Sequence, residues 1–128
     1  MTRGSCICGS VSFTIEGELG PVEYCHCRQC RQWTGHVFAS VEVPRSRIDI
    51  QGLEHLCWHQ RSDRARRGFC GVCGSSLFFE PIDQVKHDWI GVAMGAIEAP
   101  TGTQVGLHIF VAEKGDYYEI CDGARQNP

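Results

Sequence analysis

Apolar and polar residues alternate along most of this chain at a spacing that predicts short strands. "SVSFTIE" (10–16) sets Val11, Phe13 and Ile15 at every second place with polar residues between them, the period that buries one face of a strand. "VFASVEV" (37–43) is similarly β-rich and stops at Pro44, and "RIDIQG" (47–52) puts Ile48 and Ile50 on one side before a glycine. Strand-like runs continue at "SLFFE" (76–80), ending at Pro81, at "WIGVAMG" (89–95) and at "GLHIFV" (106–111). "YYEIC" (117–121) reads as a last strand after a "KGD" turn. Only 28–34 and 82–88 have room for a helical turn or two, and the tail "ARQNP" reads as frayed. Fifteen glycines and five prolines punctuate the runs, as in a sandwich or barrel-like fold.

The length of 128 residues suits one domain. A domain of that size buries about two-thirds of its unfolded surface, enough for a real core. The formal net charge of −3 argues against nucleic acid as a partner, because phosphate recognition rests on a basic surface. "RSDRARR" (61–67) sets four arginines against one aspartate; it could touch nucleic acid or an anionic substrate, but reads first as a solvated hairpin leading into the knuckle strand that follows. No apolar run approaches the ~20 residues of a membrane span. The N-terminal "MTRGSCICGS" lacks an apolar signal core, so the expected location is the cytoplasm.

Nine cysteines change this bland picture. The count is odd, and reducing cytosol disfavours structural disulfides. The cysteines are clustered, which suits metal better than a disulfide framework. Cys6 and Cys8 lead into a strand, where residues two apart share a face and can share an ion. "FCGVCG" (69–74) is a knuckle in which a glycine after each cysteine lets the backbone fold around a metal. Cys6, Cys8, Cys70 and Cys73 together make a closed tetrahedral zinc set. A redox-active C-x2-C is the alternative, but the βαβ context of such motifs is missing.

Cys25, Cys27 and Cys30 form a separate group in "CHCRQC". Three ligands with a free fourth position are the signature of catalytic zinc. His36, His55, His59, His108, Cys57 or Cys121 could instead close the set, and spacing alone leaves the two outcomes balanced. His26 points away from Cys25 and Cys27 if the segment is extended, which leaves it a proton shuttle or a hydrogen-bonded structural residue. Cys57 and Cys121 have no nearby partner and read as core. Trp33 reads as core packing or as a wall of the site.

"GSCICGSVSFTIEG" (4–17), "CHCRQCRQWTGHVFA" (25–39), "FCGVCGSSLFF" (69–79) and "HIFVAEKGDYYEICDG" (108–123) resemble the glutathione-dependent formaldehyde-activating enzyme family, with centromere protein V as its animal relative. The resemblance covers nearly the whole chain and implies one such zinc-binding domain over 1–128. It implies a mainly β, Mss4-like fold, a complex of small antiparallel sheets with zinc-ribbon-like knuckles. It also implies two zinc ions per chain: a structural one on Cys6, Cys8, Cys70 and Cys73, and a catalytic one on Cys25, Cys27 and Cys30. The implied activity is that of a carbon–sulfur lyase joining formaldehyde to glutathione as S-hydroxymethylglutathione. Its partners would be a small thiol and an aldehyde, with no nucleic acid or membrane.

A free thiol has a pKa of about 8.5 and is mostly protonated at neutral pH, so coordination is what would make it a nucleophile. Zinc with three thiolates is already net negative, so a fourth thiolate needs cations nearby. Arg28 and Arg31 are placed to supply them, or to clamp substrate carboxylates. The chain departs from the family pattern at Gln32, at His36 and at "KGDYY" (114–118), which bears on the substrate more than on the metal. Two other classes compete with an enzyme: a non-enzymatic zinc module with two structural sites, and a thiol redox sensor.

Overall fold

The computed structural model describes residues 1–128, in which two β-sheets meet across one apolar core. The smaller sheet is antiparallel, in the order β1 (Thr2–Ser5), β2 (Ser12–Ile15), β5 (Ile48–Gln51). The larger has eight strands. Its order is β11 (Arg125–Gln126), β10 (Val105–Ile109), β3 (Val22–Cys25), β4 (Phe38–Pro44), β9 (Trp89–Ala93), β8 (Ser76–Pro81), β7 (Ala65–Cys70), β6 (Leu56–His59). Its pairings are antiparallel except that β10 runs parallel to both β3 and β11. One helix, α1 (Arg28–Thr34), leaves the end of β3.

The alternation that defines the strands also defines the core. Phe13 and Ile15 of β2 face Val41 and Val43 of β4, Phe78 of β8, and Ile90 and Val92 of β9, all buried in one cluster. Phe13 and Phe78 meet edge to face with ring centroids 5.5 Å apart, a favoured aromatic geometry. Adjacent residues on a strand point to opposite faces, and the pair Arg66 and Arg67 on β7 shows the consequence. Arg66 pairs with the buried Glu80, which Arg45 also holds from the other side. Arg67 turns the other way, toward α1 and the sulfur of Cys30.

The mainly β character agrees with the sequence reading, but some segments differ from it. Residues 117–121 form no strand. The Lys114 ammonium donates to the carbonyls of Gly115 (2.8 Å) and Tyr118 (2.6 Å), so the segment curls around a lysine instead of joining a ladder. The tail is not frayed: Arg125 and Gln126 pair with Leu107 and His108, and the Asn127 amide donates to His108 O at 2.8 Å. Residues 82–88 hold a single helical turn, closed by the His87 amide on Asp83 O at 3.0 Å and capped by the Asp83 carboxylate, within the room the sequence allowed. "RSDRARR" is the exposed hairpin connection between β6 and β7 as far as Arg64, as read, but its last three residues enter β7, where Arg66 and Arg67 are half-buried and not solvated surface.

Candidate metal centres

The nine sulfurs separate into two clusters and two single residues. Cys6, Cys8, Cys70 and Cys73 bring their sulfurs within 4.8 Å of one another. Cys6 and Cys8 lie on the turn between β1 and β2, so it is the turn that folds them together, not a strand. Cys70 ends β7, and Gly74, at φ +82°, turns the chain back after Cys73 as only glycine does easily. Sulfurs placed tetrahedrally at ~2.3 Å from one zinc ion stand ~3.8 Å apart. The separations Cys6–Cys8, 3.6 Å, and Cys8–Cys70, 3.8 Å, fit that cage. Backbone amides point at the sulfurs: Val11 N–H at Cys6 (3.3 Å), and Val72 and Cys73 N–H at Cys70 (3.4 and 3.5 Å). The Ser10 and Ser75 hydroxyls lie 3.2 and 3.1 Å from Cys8 and Cys73. The hydroxyl of Ser75 leads the causes that hold the Cys73 thiol down at about 5. Such donors favour the thiolate form that a metal needs.

Cys25, Cys27 and Cys30 also gather within 4.8 Å, and no histidine or carboxylate ligand atom joins them. The convergence comes from a strand end running into a helix. Cys25 closes β3, Cys27 is the N-cap of α1, and Cys30 is buried in the first turn. The Cys27 sulfur accepts the Cys30 amide at 3.3 Å, replacing the oxygen of an ordinary cap. The helix ends at Gly35, φ +90°, whose N–H returns to Arg31 O at 2.9 Å.

Both terminal nitrogens of Arg67 lie 3.6 Å from the Cys30 sulfur, and its guanidinium also sits 5.1 Å from the Phe79 ring centre. The neighbouring Cys25 thiol, and then the Arg67 charge, hold Cys30 down at about 6, against the opposing effect of burial. The Cys30 sulfur beside it, and then burial, push the Cys25 thiol up. Three sulfurs in this arrangement offer a metal three ligands beside a cation.

The other candidates have separate engagements. Arg31 donates to the carbonyls of His26 (3.2 Å) and Glu113 (2.9 Å), tying the cysteine loop to the turn Val111–Glu113. The Arg28 side chain is exposed, while its amide donates to the Glu113 carboxylate at 3.2 Å. His36 meets the Tyr117 hydroxyl at 2.8 Å, and His55 lies beside Glu54. Cys57 is exposed and packs against Gly71, and Cys121 is exposed on the rim of a cavity of about 420 Å³. The reading of both as core is therefore corrected: each sits where side chains face solvent.

His26 turns away from the three sulfurs into a chain of hydrogen bonds. The Tyr118 hydroxyl lies 2.6 Å from His26 Nδ1, His26 Nε2 lies 2.8 Å from His108 Nδ1, and His108 Nε2 lies 2.9 Å from the Asp122 carboxylate. One proton per bond satisfies the run if Tyr118 donates to His26, His26 to His108, and His108 to Asp122. Both imidazoles are buried, so the chain gives polar groups in the interior the partners they require.

Sequence reasoning missed the place of Arg67, and it named His26 and His108 without Tyr118 and Asp122 or the bonds that join the four. Arg67 shares a strand face with Phe69, and Phe69 meets Trp33 of α1 edge on, but that needs β7 to lie beside α1. For His108 the only signal was a polar residue inside the apolar run "GLHIFV".

The model of the family described as glutathione-dependent formaldehyde-activating enzyme matches residues 1–113. A Schizosaccharomyces pombe protein, named as an uncharacterized lyase, is 28% identical over 77 residues, 60% of this chain. The matched part is 56% of that relative's length, so the similarity spans little more than half of it. No helix is long and apolar enough to cross a membrane.

Proposed function

The chain belongs to the glutathione-dependent formaldehyde-activating enzyme family, and from that premise we propose that it is a zinc-dependent carbon–sulfur lyase acting on a thiol–aldehyde adduct. S-hydroxymethylglutathione, from glutathione and formaldehyde, is the first adduct to test. In the forward direction the thiol sulfur bonds to the aldehyde carbon and the thiol proton ends on the aldehyde oxygen. The reverse direction breaks the same carbon–sulfur bond and returns both molecules.

The observation that carries this reading is the difference in ligand number between the two clusters, four sulfurs against three. Four sulfurs close a tetrahedron and make a structural site, whereas three leave a position for substrate. A zinc ion held by Cys25, Cys27 and Cys30 would supply a Lewis acid that lowers the pKa of an incoming thiol. The chain's own contribution is electrostatic. Three thiolates outweigh one divalent ion, and Arg67 places a cation 3.6 Å from one of them, where an arriving anionic sulfur would otherwise be repelled. We assign this role to Arg67 ahead of Arg28 and Arg31, because Arg31 is occupied by two carbonyls and Arg28 points to solvent. Arg28 is kept only as a candidate for orienting substrate.

Native mass spectrometry of the purified chain, with and without glutathione, tests the reading. We expect two zinc ions and one glutathione adduct, and in Cys27→Ser a folded chain with one zinc, no adduct and no turnover of S-hydroxymethylglutathione. A wild-type chain holding a single zinc would overturn the proposal. So would undiminished turnover in Cys27→Ser.

A further inference from the structure

Beside the three-sulfur cluster lies a recess of about 180 Å³ lined by Gln29, Gln32, Trp33, His59, Arg61 and Arg67. Its position follows from the fold. Gln29, Gln32 and Trp33 project from α1, which carries Cys30, while His59 stands opposite Arg67 in the β6–β7 ladder. Arg67 is the wall shared by the recess and the cluster, since it touches the Cys30 sulfur. Trp33 is held by a hydrogen bond from its Nε1 to Ser76 Oγ at 2.9 Å and stacks on His59 with centroids 5.7 Å apart.

The charge balance of the recess is unlike that of the chain. Acidic residues outnumber lysine and arginine overall, 15 to 12. The recess nonetheless holds two guanidinium groups and no carboxylate. The four ion pairs of the chain lie elsewhere and involve neither Arg61 nor Arg67. Arg67 already turns both terminal nitrogens to the Cys30 sulfur, whereas the Arg61 guanidinium has no partner in the chain and is free to take an anion from outside. The planar fork of arginine matches a carboxylate with two parallel hydrogen bonds. The Gln29 and Gln32 amides can donate to and accept from peptide groups. Whole small-molecule ligands occupy pockets of ~300–1,000 Å³, so a hollow of this size takes one end of a molecule.

We propose that this recess is a carboxylate subsite and that Arg61 is the residue that selects an anionic thiol over a neutral one. The proposal rests on the lyase reading for the place of the sulfur, which goes to the cluster while the carboxylate end reaches past Arg67 to Arg61. Arg67 then serves both ends, bordering the sulfur position and the anion. Arg61 serves recognition alone, because it lies beyond the end of β6 and touches no cysteine.

Calorimetric titration of the zinc-loaded chain tests this with two probes, glutathione and glutathione esterified at both carboxylates. Formaldehyde adduct formation is followed in parallel on the same samples. A charge-assisted hydrogen bond is worth enough to set an affinity ratio of roughly tenfold or more at a partly exposed site. The wild type is expected to prefer glutathione over the diester by about that factor. In Arg61→Gln the ratio falls toward one while diester affinity is unchanged, and in Arg61→Lys it is intermediate because the fork is lost. Arg64→Gln, an equally exposed arginine outside the recess, keeps the wild-type ratio. A wild-type ratio near one, a ratio that survives Arg61→Gln, or an equal loss in Arg64→Gln overturns the subsite even if the adduct forms. The expected ratios without adduct formation leave the subsite standing and sink the lyase reading. A chain that holds two zinc ions and binds neither probe overturns both.

Discussion

The four-sulfur cluster sits at the rim of the main core, with Cys6 and Cys70 buried among the same apolar side chains that join the two sheets. The three-sulfur cluster sits on a smaller core of Cys30, Phe38 and Ala93, with Cys25, Cys27 and Phe79 around it. Around the first cluster the sulfurs are met by backbone amides and two serine hydroxyls, with no charged side chain against them. Against the second lies a guanidinium, and beyond it a polar hollow. On the proposed function, identical ligand atoms would serve two purposes, and it is their surroundings that tell the two clusters apart. Neutral dipoles suffice where a site only has to bind metal. A cation and an open approach are needed where a further anion must come and go.

The largest effect should come from breaking the first cluster. Cys70 is fully buried and holds the knuckle to the core. Structural zinc contributes ~10–16 kcal/mol in small domains, against a net stability of ~5–15 kcal/mol for a whole domain. Cys70→Ser should therefore abolish cooperative thermal unfolding and release both ions. Cys27→Ser should melt cooperatively with one ion still bound. Calorimetry and zinc counting on the two variants give the contrast directly. If Cys70→Ser melts as the wild type does, the distinction between a structural and a working cluster is lost.

How much of this was legible in the sequence depends on how local the cause is. The strands of the core announced themselves because Val11, Phe13 and Ile15, or Val41 and Val43, alternate with polar neighbours. Helix α1 matched residues 28–34, since the cysteine cap at one end and Gly35 at the other are local signals. The cysteine groups were legible for the same reason, because C-x-C and C-x2-C spacings limit which sulfurs can converge. What escaped depends on distant pairing. β1, with "TRGS", has too few apolar residues to show a period, and it is a strand because β2 lies beside it. Residues 117–121 have the composition of a strand, yet Lys114 takes the carbonyl that a ladder would have used. Arg67 looked like solvated surface because nothing in "RSDRARR" tells which arginine faces Glu80 and which faces Cys30.

The support beneath the second cluster offers a smaller and more selective test. His26 lies between two of its cysteines, and His108 holds His26 at 2.8 Å. Replacing His108, only 2% exposed, with leucine fills the space but leaves the His26 nitrogen and the Asp122 carboxylate without that partner. An unsatisfied buried polar group costs ~1–3 kcal/mol. His108→Leu should lower stability in denaturant titration by about 2 kcal/mol. It should speed the exchange of one zinc ion against a coloured chelator while the other exchanges at the wild-type rate. Equal acceleration of both ions would mean that the two clusters are mechanically coupled and that the contrast between them is one of chemistry alone.

The smallest test separates the helix from the sulfurs it carries. A side chain at Gly35 would meet no atom within 4 Å, so Gly35→Ala adds no clash and its cost is that of the φ +90° backbone alone. That conformation disfavours an L-residue by ~1–2 kcal/mol. The chain can keep the strain or relieve it by giving up the bond from the Gly35 amide to Arg31 O. Relief would loosen the last turn, where the Thr34 hydroxyl is fastened to Cys30 O at 3.0 Å. Keeping the strain should lower stability by about 1 kcal/mol and leave both zinc exchange rates as they were. Relieving it should leave stability nearly unchanged and speed release of the ion at the second cluster several-fold. The first cluster, whose cysteines lie on turns and on the end of β7, all outside α1, should be indifferent in either case. Zinc exchange measured alongside the melting curve therefore shows whether α1 is a rigid arm for Cys30 or a hinge beside it, and faster release from the first cluster would contradict both.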